Sequence, residues 1–122
     1  LGNVNTTRDF TYVQDTVNGF VLAAQAAGVE GKTINLGTGS EIRIGDLVEK
    51  IIAKVNRPVQ IQVDEERLRP EASEVYRLIS DNSQARTALG WQPQTDLESG
   101  LDQTIEWIRQ HLDLYRVGVY EF

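Results

Sequence analysis

The sequence predicts an α/β fold: a small mixed lobe of about four helices and several short strands, with residues 1–122 forming a single domain. Two observations predict it. Apolar residues recur at helical spacing in separate stretches, and between them lie short runs rich in Val, Ile, Thr, Phe and Tyr. These runs are too short and scattered for a complete doubly wound sheet, which needs βαβ units of about 30 residues in series. No internal repeat, low-complexity tract or linker divides the chain.

Arg8 to Val13 reads as a strand, and Asp15 stands at the N-cap position of a helix in which Val17, Phe20, Val21 and Ala24 share a face. Gly28 suits the left-handed residue that closes it. Lys32 to Leu36 reads as a strand, followed by a Gly37-Thr38-Gly39 turn and an extended piece from Glu41 to Ile44. The next helix is expected from about Asp46 to Val55. Leu47, Val48, Ile51, Ile52 and Val55 give it an apolar face, and Asp46 and Glu49 suit its positive end. Pro58 opens a half-buried strand in which Val59, Ile61 and Val63 alternate with Gln60 and Gln62. A charged loop, Asp64 to Ser73, precedes extended structure from Glu74 to Ser80. Asp81 with Gln84 forms a capping box for a short helix of Ala85, Ala88 and Leu89, closed by Gly90. Thr95 with Glu98 forms a second box and starts the strongest helix, whose face is Leu97, Leu101, Ile105, Ile108 and Leu112. Residues 113–122 read as an extended C-terminal tail.

Composition narrows the function. Twelve basic against 18 acidic residues give a net charge of −6, which argues against a nucleic-acid partner because phosphate backbones demand a basic face. A local arginine site for one phosphorylated small molecule needs only two or three cations and stays open. With no cysteine and the single His111, neither disulfides nor a zinc site is expected, and a reducing compartment is suitable. No apolar run approaches the ~20 residues of a membrane span and no signal-peptide pattern opens the chain, so a cytoplasmic protein without a membrane partner is the expectation.

Motifs for chemistry are sparse. Gly37-Thr38-Gly39 follows a strand, but the third glycine of a dinucleotide fingerprint is out of place and no helix opens at the turn. His111 lies where an imidazole caps helix-end carbonyls. There is no G-x-S-x-G, and Asp64-Glu65-Glu66 suits a solvated face. None of Tyr12, Tyr76, Tyr115 or Tyr120 has a Lys four residues on. No catalytic and no cofactor-binding residue is therefore assigned. Binding by arginine remains: Arg8 beside Asp9, and Arg67 and Arg69 ahead of Pro70, which biases Arg69 toward an extended backbone. An arginine fork there can take two phosphate oxygens, and a carboxylate such as Glu74 can accept ribose hydroxyls. From spacing alone, surface salt bridges to Asp9, Glu65 or Glu71 are favoured over ligand binding.

The run Leu1-Gly2-Asn3 through Arg8-Asp9-Phe10 and Tyr12-Val13-Gln14-Asp15 is followed by Ile34-Asn35-Leu36-Gly37-Thr38-Gly39 and by Ile42 to Leu47. Further on come Arg67-Leu68-Arg69-Pro70, Ser73-Glu74-Val75, Asp81-Asn82-Ser83 and Leu89-Gly90-Trp91. In this order the pieces resemble the C-terminal, substrate-binding lobe of extended short-chain dehydrogenases/reductases acting on nucleotide sugars. The likeness is greatest to the GDP-mannose 4,6-dehydratase branch, with the uridine and thymidine diphosphate sugar 4-epimerases and dehydratases further away. The resemblance implies that Arg8 and Arg69 hold the substrate's diphosphate and that Glu74 faces the ribose, which reverses the salt-bridge reading. It implies structural roles for Asp15 and Asp81 as helix caps and for Trp91 as a core anchor. Thr7 replaces a lysine frequent in that branch, and the stretch from Pro70 to Glu74 is longer than usual there.

The family keeps its glycine-rich NAD or NADP loop and its Ser/Thr, Tyr and Lys set in the first two-thirds of about 300 residues. The expectation is a truncated binding lobe without its Rossmann domain, catalytically incomplete alone and needing no cofactor of its own. Its partners would be a nucleotide-diphosphate sugar and the missing lobe. The alternative is a stand-alone fragment that self-associates, as a dimer, through the surface the missing lobe would cover.

Overall fold

Three two-residue strands lie side by side in a computed structural model that describes residues 1–68 and 70–115. β1 (Thr7–Arg8) is central, β2 (Ile42–Arg43) pairs with it antiparallel, and β3 (Arg77–Leu78) pairs with it parallel. Backbone bonds from Thr7 N to the Tyr76 carbonyl and from Asp9 N to the Leu78 carbonyl fix the parallel register. Four α-helices complete the lobe: α1 (Val13–Gln25), α2 (Ile44–Val55), α3 (Ser83–Leu89) and α4 (Leu97–Gln110). Short 3₁₀ turns occupy Glu65–Arg67, Glu71–Ser73 and Leu112–Leu114. The fold is thus the small mixed α/β lobe expected.

Several elements differ from the expectation. The run from Arg8 leaves the sheet after one residue: in the antiparallel register the position beyond Arg8 would face Glu41, which precedes β2 and is not in the ladder. Lys32 to Leu36 and Pro58 to Val63 have strand composition but no ladder among the described residues. The second of these lies over the Val48, Ile51, Ile52 and Val55 face of α2, and backbone bonds tie Leu1 to Gln62 and Asp64. Its Val59, Ile61 and Val63 stay exposed. Where the tail was expected to be extended from 113, a 3₁₀ turn covers Leu112–Leu114; residues 116–122 lie outside the described residues.

Asp15 is not the N-cap of α1. The helix begins two residues earlier, behind an extended Tyr12, and Asp15 sits inside its first turn at 2% exposure. Its carboxylate accepts from the backbone N–H groups of Gln94 (3.2 Å) and Thr95 (3.0 Å), and its carbonyl accepts from Trp91 Nε1 at 2.8 Å. Asp15 therefore fixes the segment ahead of α4 rather than its own helix. A buried carboxylate is tolerated because backbone donors take up its charge.

Gly28 does not close α1: the helix ends at Gln25 behind an extended Ala26, and Gly28, at φ +75°, lies in the turn beyond. At α3 and α4 capping follows the sequence within a residue. Asp81 accepts from Ser83 N at the start of α3. At α4 the N-cap is Asp96, whose oxygens accept from Ser99 N and Ser99 Oγ at 2.8 Å, because Thr95 N is already given to Asp15. Gly90 ends α3 in the left-handed region at φ +64°, and Asn56 does the same for α2 at φ 52°. Among the described residues only Leu47, Ala85 and Trp91 are buried apolar side chains. Salt bridges from Lys50 and Lys54 to Glu98 and Asp102 hold α2 against α4.

Candidate functional site

The two side chains at the end of β1 take different partners. Asp9 does not pair with Arg8. Its Oδ1 accepts from Thr38 N (3.0 Å) and Thr38 Oγ1, and its Oδ2 accepts from Gly39 N (2.9 Å) and Ser80 N (3.2 Å). Partial burial works to raise this carboxyl's pKa, but hydrogen bonds from the Thr38 hydroxyl and the three amides outweigh it and hold the group below its ordinary value. The turn must come very close to achieve this. A Cβ on Gly37 would lie 2.2 Å from Ser80 Cβ and 2.9 Å from Asp9 Oδ2, so only glycine fits.

This geometry decides the role of the Gly37-Thr38-Gly39 turn. A dinucleotide pyrophosphate needs free amides at a helix start. Here the Thr38 and Gly39 amides are spent on Asp9, and strand β2 follows instead of a helix. The turn does not fit a nicotinamide cofactor.

Arg8 is the half of the pair that borders two open clefts. Its Nη1 donates to the Thr7 carbonyl at 2.7 Å, and its Nη2 lies 3.9 Å from Glu74 Oε1. The Glu74 side chain is 8% exposed and the Arg8 side chain 26%. Glu74 Oε2 also accepts from Asn3 Nδ2 at 3.4 Å. Arg8 and Glu74, both proposed from the sequence, are therefore brought together, while Arg69 lies outside the described residues. Asn3 was not singled out as a site residue; nothing local in the sequence signals a partner so far along the chain.

Arg8 borders two clefts. One, of about 490 Å³, runs past Phe10 and Ser40 to the Pro93–Leu97 segment; the other, about 550 Å³, lies toward Phe20, Ile34 and Leu78. Both fall in the range of small-molecule sites. A guanidinium between them, with Nη1 given to the Thr7 carbonyl and Nη2 beside Glu74, keeps its remaining N–H donors for an anion. Of the remaining candidates, Asp64 is paired with Arg67 at 3.1 Å, and His111 stacks on Trp107 with Nδ1 2.8 Å from the Trp107 carbonyl. Among the described residues no group of His, Cys, Asp and Glu is arranged to hold a metal, and no helix is long and apolar enough to cross a membrane.

A family model, GDP-mannose 4,6 dehydratase, matches residues 1–104. The chain belongs to that family. Among similar proteins, UDP-glucose 4-epimerase of Mycolicibacterium smegmatis is 37% identical over 109 residues, covering 89% of this chain and 33% of the relative. An epimerase structure from Methanothermobacter thermautotrophicus superposes with a TM-score of 0.82 at 29% identity, covering 93% of this chain and 33% of that one. The UDP-glucose 4-epimerase of Thermotoga maritima, solved with UDP-glucose, gives 0.76 at 28% identity, covering 92% and 34%. The chain thus spans about a third of the length of these family members. The architecture is part of the extended short-chain dehydrogenase/reductase fold that these epimerases share.

Proposed function

We propose that this chain is the nucleotide-diphosphate-sugar binding lobe of an NAD-dependent sugar epimerase or dehydratase, and that it does not complete the reaction alone. Arg8 and Arg69 hold the diphosphate, and Glu74 stands beside Arg8 to meet the ribose. The observation that carries the reading is the placement of Arg8, set between two clefts and paired with the buried Glu74. Clamping the diphosphate would orient the sugar ring toward a cofactor held elsewhere, which is a positioning contribution rather than bond chemistry. The chain carries no glycine-rich cofactor loop and no Tyr-x-x-x-Lys of its own.

Titration calorimetry with UDP-glucose and GDP-mannose tests this. The wild-type chain is expected to bind at least one of them, and Arg8→Ala or Arg69→Ala to weaken that binding about tenfold or more, the effect of losing a charge-assisted phosphate contact. Unchanged affinity in both variants would remove the clamp. Epimerisation or dehydration by the isolated chain would overturn its catalytic incompleteness.

One observation favours a second reading, self-association. Val13, Val17, Phe20 and Val21 form a continuous stripe on α1 and are all exposed, Phe20 at 68%. Light scattering across a concentration series is expected to show a defined dimer under that reading, and a strict monomer counts against it.

A further inference from the structure

We infer that Val59–Val63 is a docking edge for a second copy of this chain, the two copies joining antiparallel about a twofold axis at Ile61. This surface is distinct from the exposed stripe on α1, and it does not depend on the diphosphate reading of Arg8.

The segment has the composition of a strand and the backbone of an unpaired one. Among the described residues, none of the N–H groups from Val59 to Val63 has an acceptor. Of their carbonyls only that of Gln62 is bonded, to Leu1 N at 2.8 Å, and the Leu1 carbonyl in turn accepts from Asp64 N at 2.8 Å. These two bonds have the pattern of one parallel rung, with Leu1 beside Val63. They also tell the two edges apart. Backbone groups alternate along a strand, so those of Gln60, Gln62 and Asp64 aim at the edge that Leu1 takes. Those of Val59, Ile61 and Val63 aim at the opposite edge, which is open among the described residues.

The open edge has clear bounds. Pro58 has no N–H, and Asp64 N is already given to Leu1. Edges of this kind are ordinarily blunted by charges, prolines or bulges. Neither charge nor proline interrupts Val59-Gln60-Ile61-Gln62-Val63, and its three apolar side chains are 44–56% exposed. An isolated two-stranded ribbon is marginal in water, but this strand is backed by the Val48, Ile51, Ile52 and Val55 face of α2.

The segment complements itself. In an antiparallel pair centred on Ile61, Val59 lies opposite Val63 of the second copy, Ile61 opposite Ile61 and Gln60 opposite Gln62. The hydrogen-bonded pairs then fall on Val59, Ile61 and Val63, whose N–H and C=O groups face the open edge. Charge selects the direction. Arg57 precedes the segment and Glu65 follows it, both exposed. Antiparallel strands bring the Arg57 of each copy toward the Glu65 of the other, whereas parallel strands in register would stack like on like. The antiparallel pair is isologous and closes on itself as a dimer.

Amide exchange followed by NMR, as the chain is concentrated from about 10 µM to about 1 mM, tests the edge directly. Val59, Ile61 and Val63 are expected to slow about threefold or more at the upper end, while Gln60 and Gln62 keep their rates. Rates that do not change with concentration overturn the inference, and so does protection of Gln60 and Gln62 instead, which would put a strand on the edge Leu1 takes. Sedimentation equilibrium on variants outside the segment, each checked for folding by its melting curve, tests the direction. Arg57→Glu and Glu65→Arg are each expected to weaken dimerisation about fivefold, and the double variant to restore it. A double variant as weak as the singles overturns the antiparallel register. Val21→Lys, in the α1 stripe, is expected to leave the dimer unchanged; loss of the dimer there assigns it to α1 and overturns the inference.

Discussion

Trp91→Ala is expected to lower the thermal midpoint by about 10–20 °C, read by circular dichroism. The indole is 2% exposed and is the largest of the three buried apolar side chains among the described residues. Truncating a buried tryptophan costs about 3–5 kcal/mol, a large share of the ~5–15 kcal/mol that holds a domain of this size together. In a chain of this length each kcal/mol moves the midpoint by roughly 3–5 °C. The substitution also removes the bond from Trp91 Nε1 to the buried Asp15 carbonyl, and that acceptor then lacks its indole donor. Trp91→Phe separates the two effects: it keeps most of the volume and loses the N–H, so a smaller drop, equivalent to about 1–2 kcal/mol, is expected. Equal losses in the two variants would show that the hydrogen bond, not the packing, dominates.

Asp9→Ala is the second large effect, with an expected loss of about 2–4 kcal/mol in urea unfolding. Three backbone N–H groups and one hydroxyl lose their acceptor at once, and each donor left without a partner costs roughly 1 kcal/mol where water reaches it only partly. The pH dependence carries a sign. Because the folded-state pKa of Asp9 is depressed, its stabilisation is fully present above the ordinary carboxylate value and is lost as pH falls through the depressed one. Wild-type stability is therefore expected to fall below about pH 4, and Asp9→Ala to show a shallower acid decline from a lower plateau. An acid limb as steep in the variant as in the wild type would assign that sensitivity to other carboxylates, such as Glu98 and Asp96, whose pKa values are lowered too.

Local signals in the sequence read well where the structure they describe is local. The apolar face of α2, the Asp81 cap and the left-handed Gly90 all follow from periodicity and short-range chemistry, and each appears within two residues of its expected place. Strand composition was less informative. Lys32 to Leu36 and Pro58 to Val63 have the residues of strands, but composition does not supply the neighbour that a ladder needs. The reading of Asp15 as an N-cap failed for a related reason: its carboxylate serves Gln94 and Thr95, which no capping rule reaches. At the site, spacing alone favoured surface salt bridges for Arg8. The resemblance picked out Glu74 as its neighbour in the site, and only the fold shows that the two meet and that Asn3 completes the contact.

The Asp15 contacts also bear on how the chain is made. They join residues separated by 76, 79 and 80 positions, so α1 cannot acquire its final setting from its own segment. During synthesis at about 5–20 residues per second, the helix waits several seconds for the Trp91–Thr95 stretch to emerge. Through that interval the Asp15 carboxylate keeps its water. Contacts of such long sequence separation are formed late and slow the approach to the native state. The step that buries Asp15 thus belongs late in folding, joining α1 to the stretch ahead of α4.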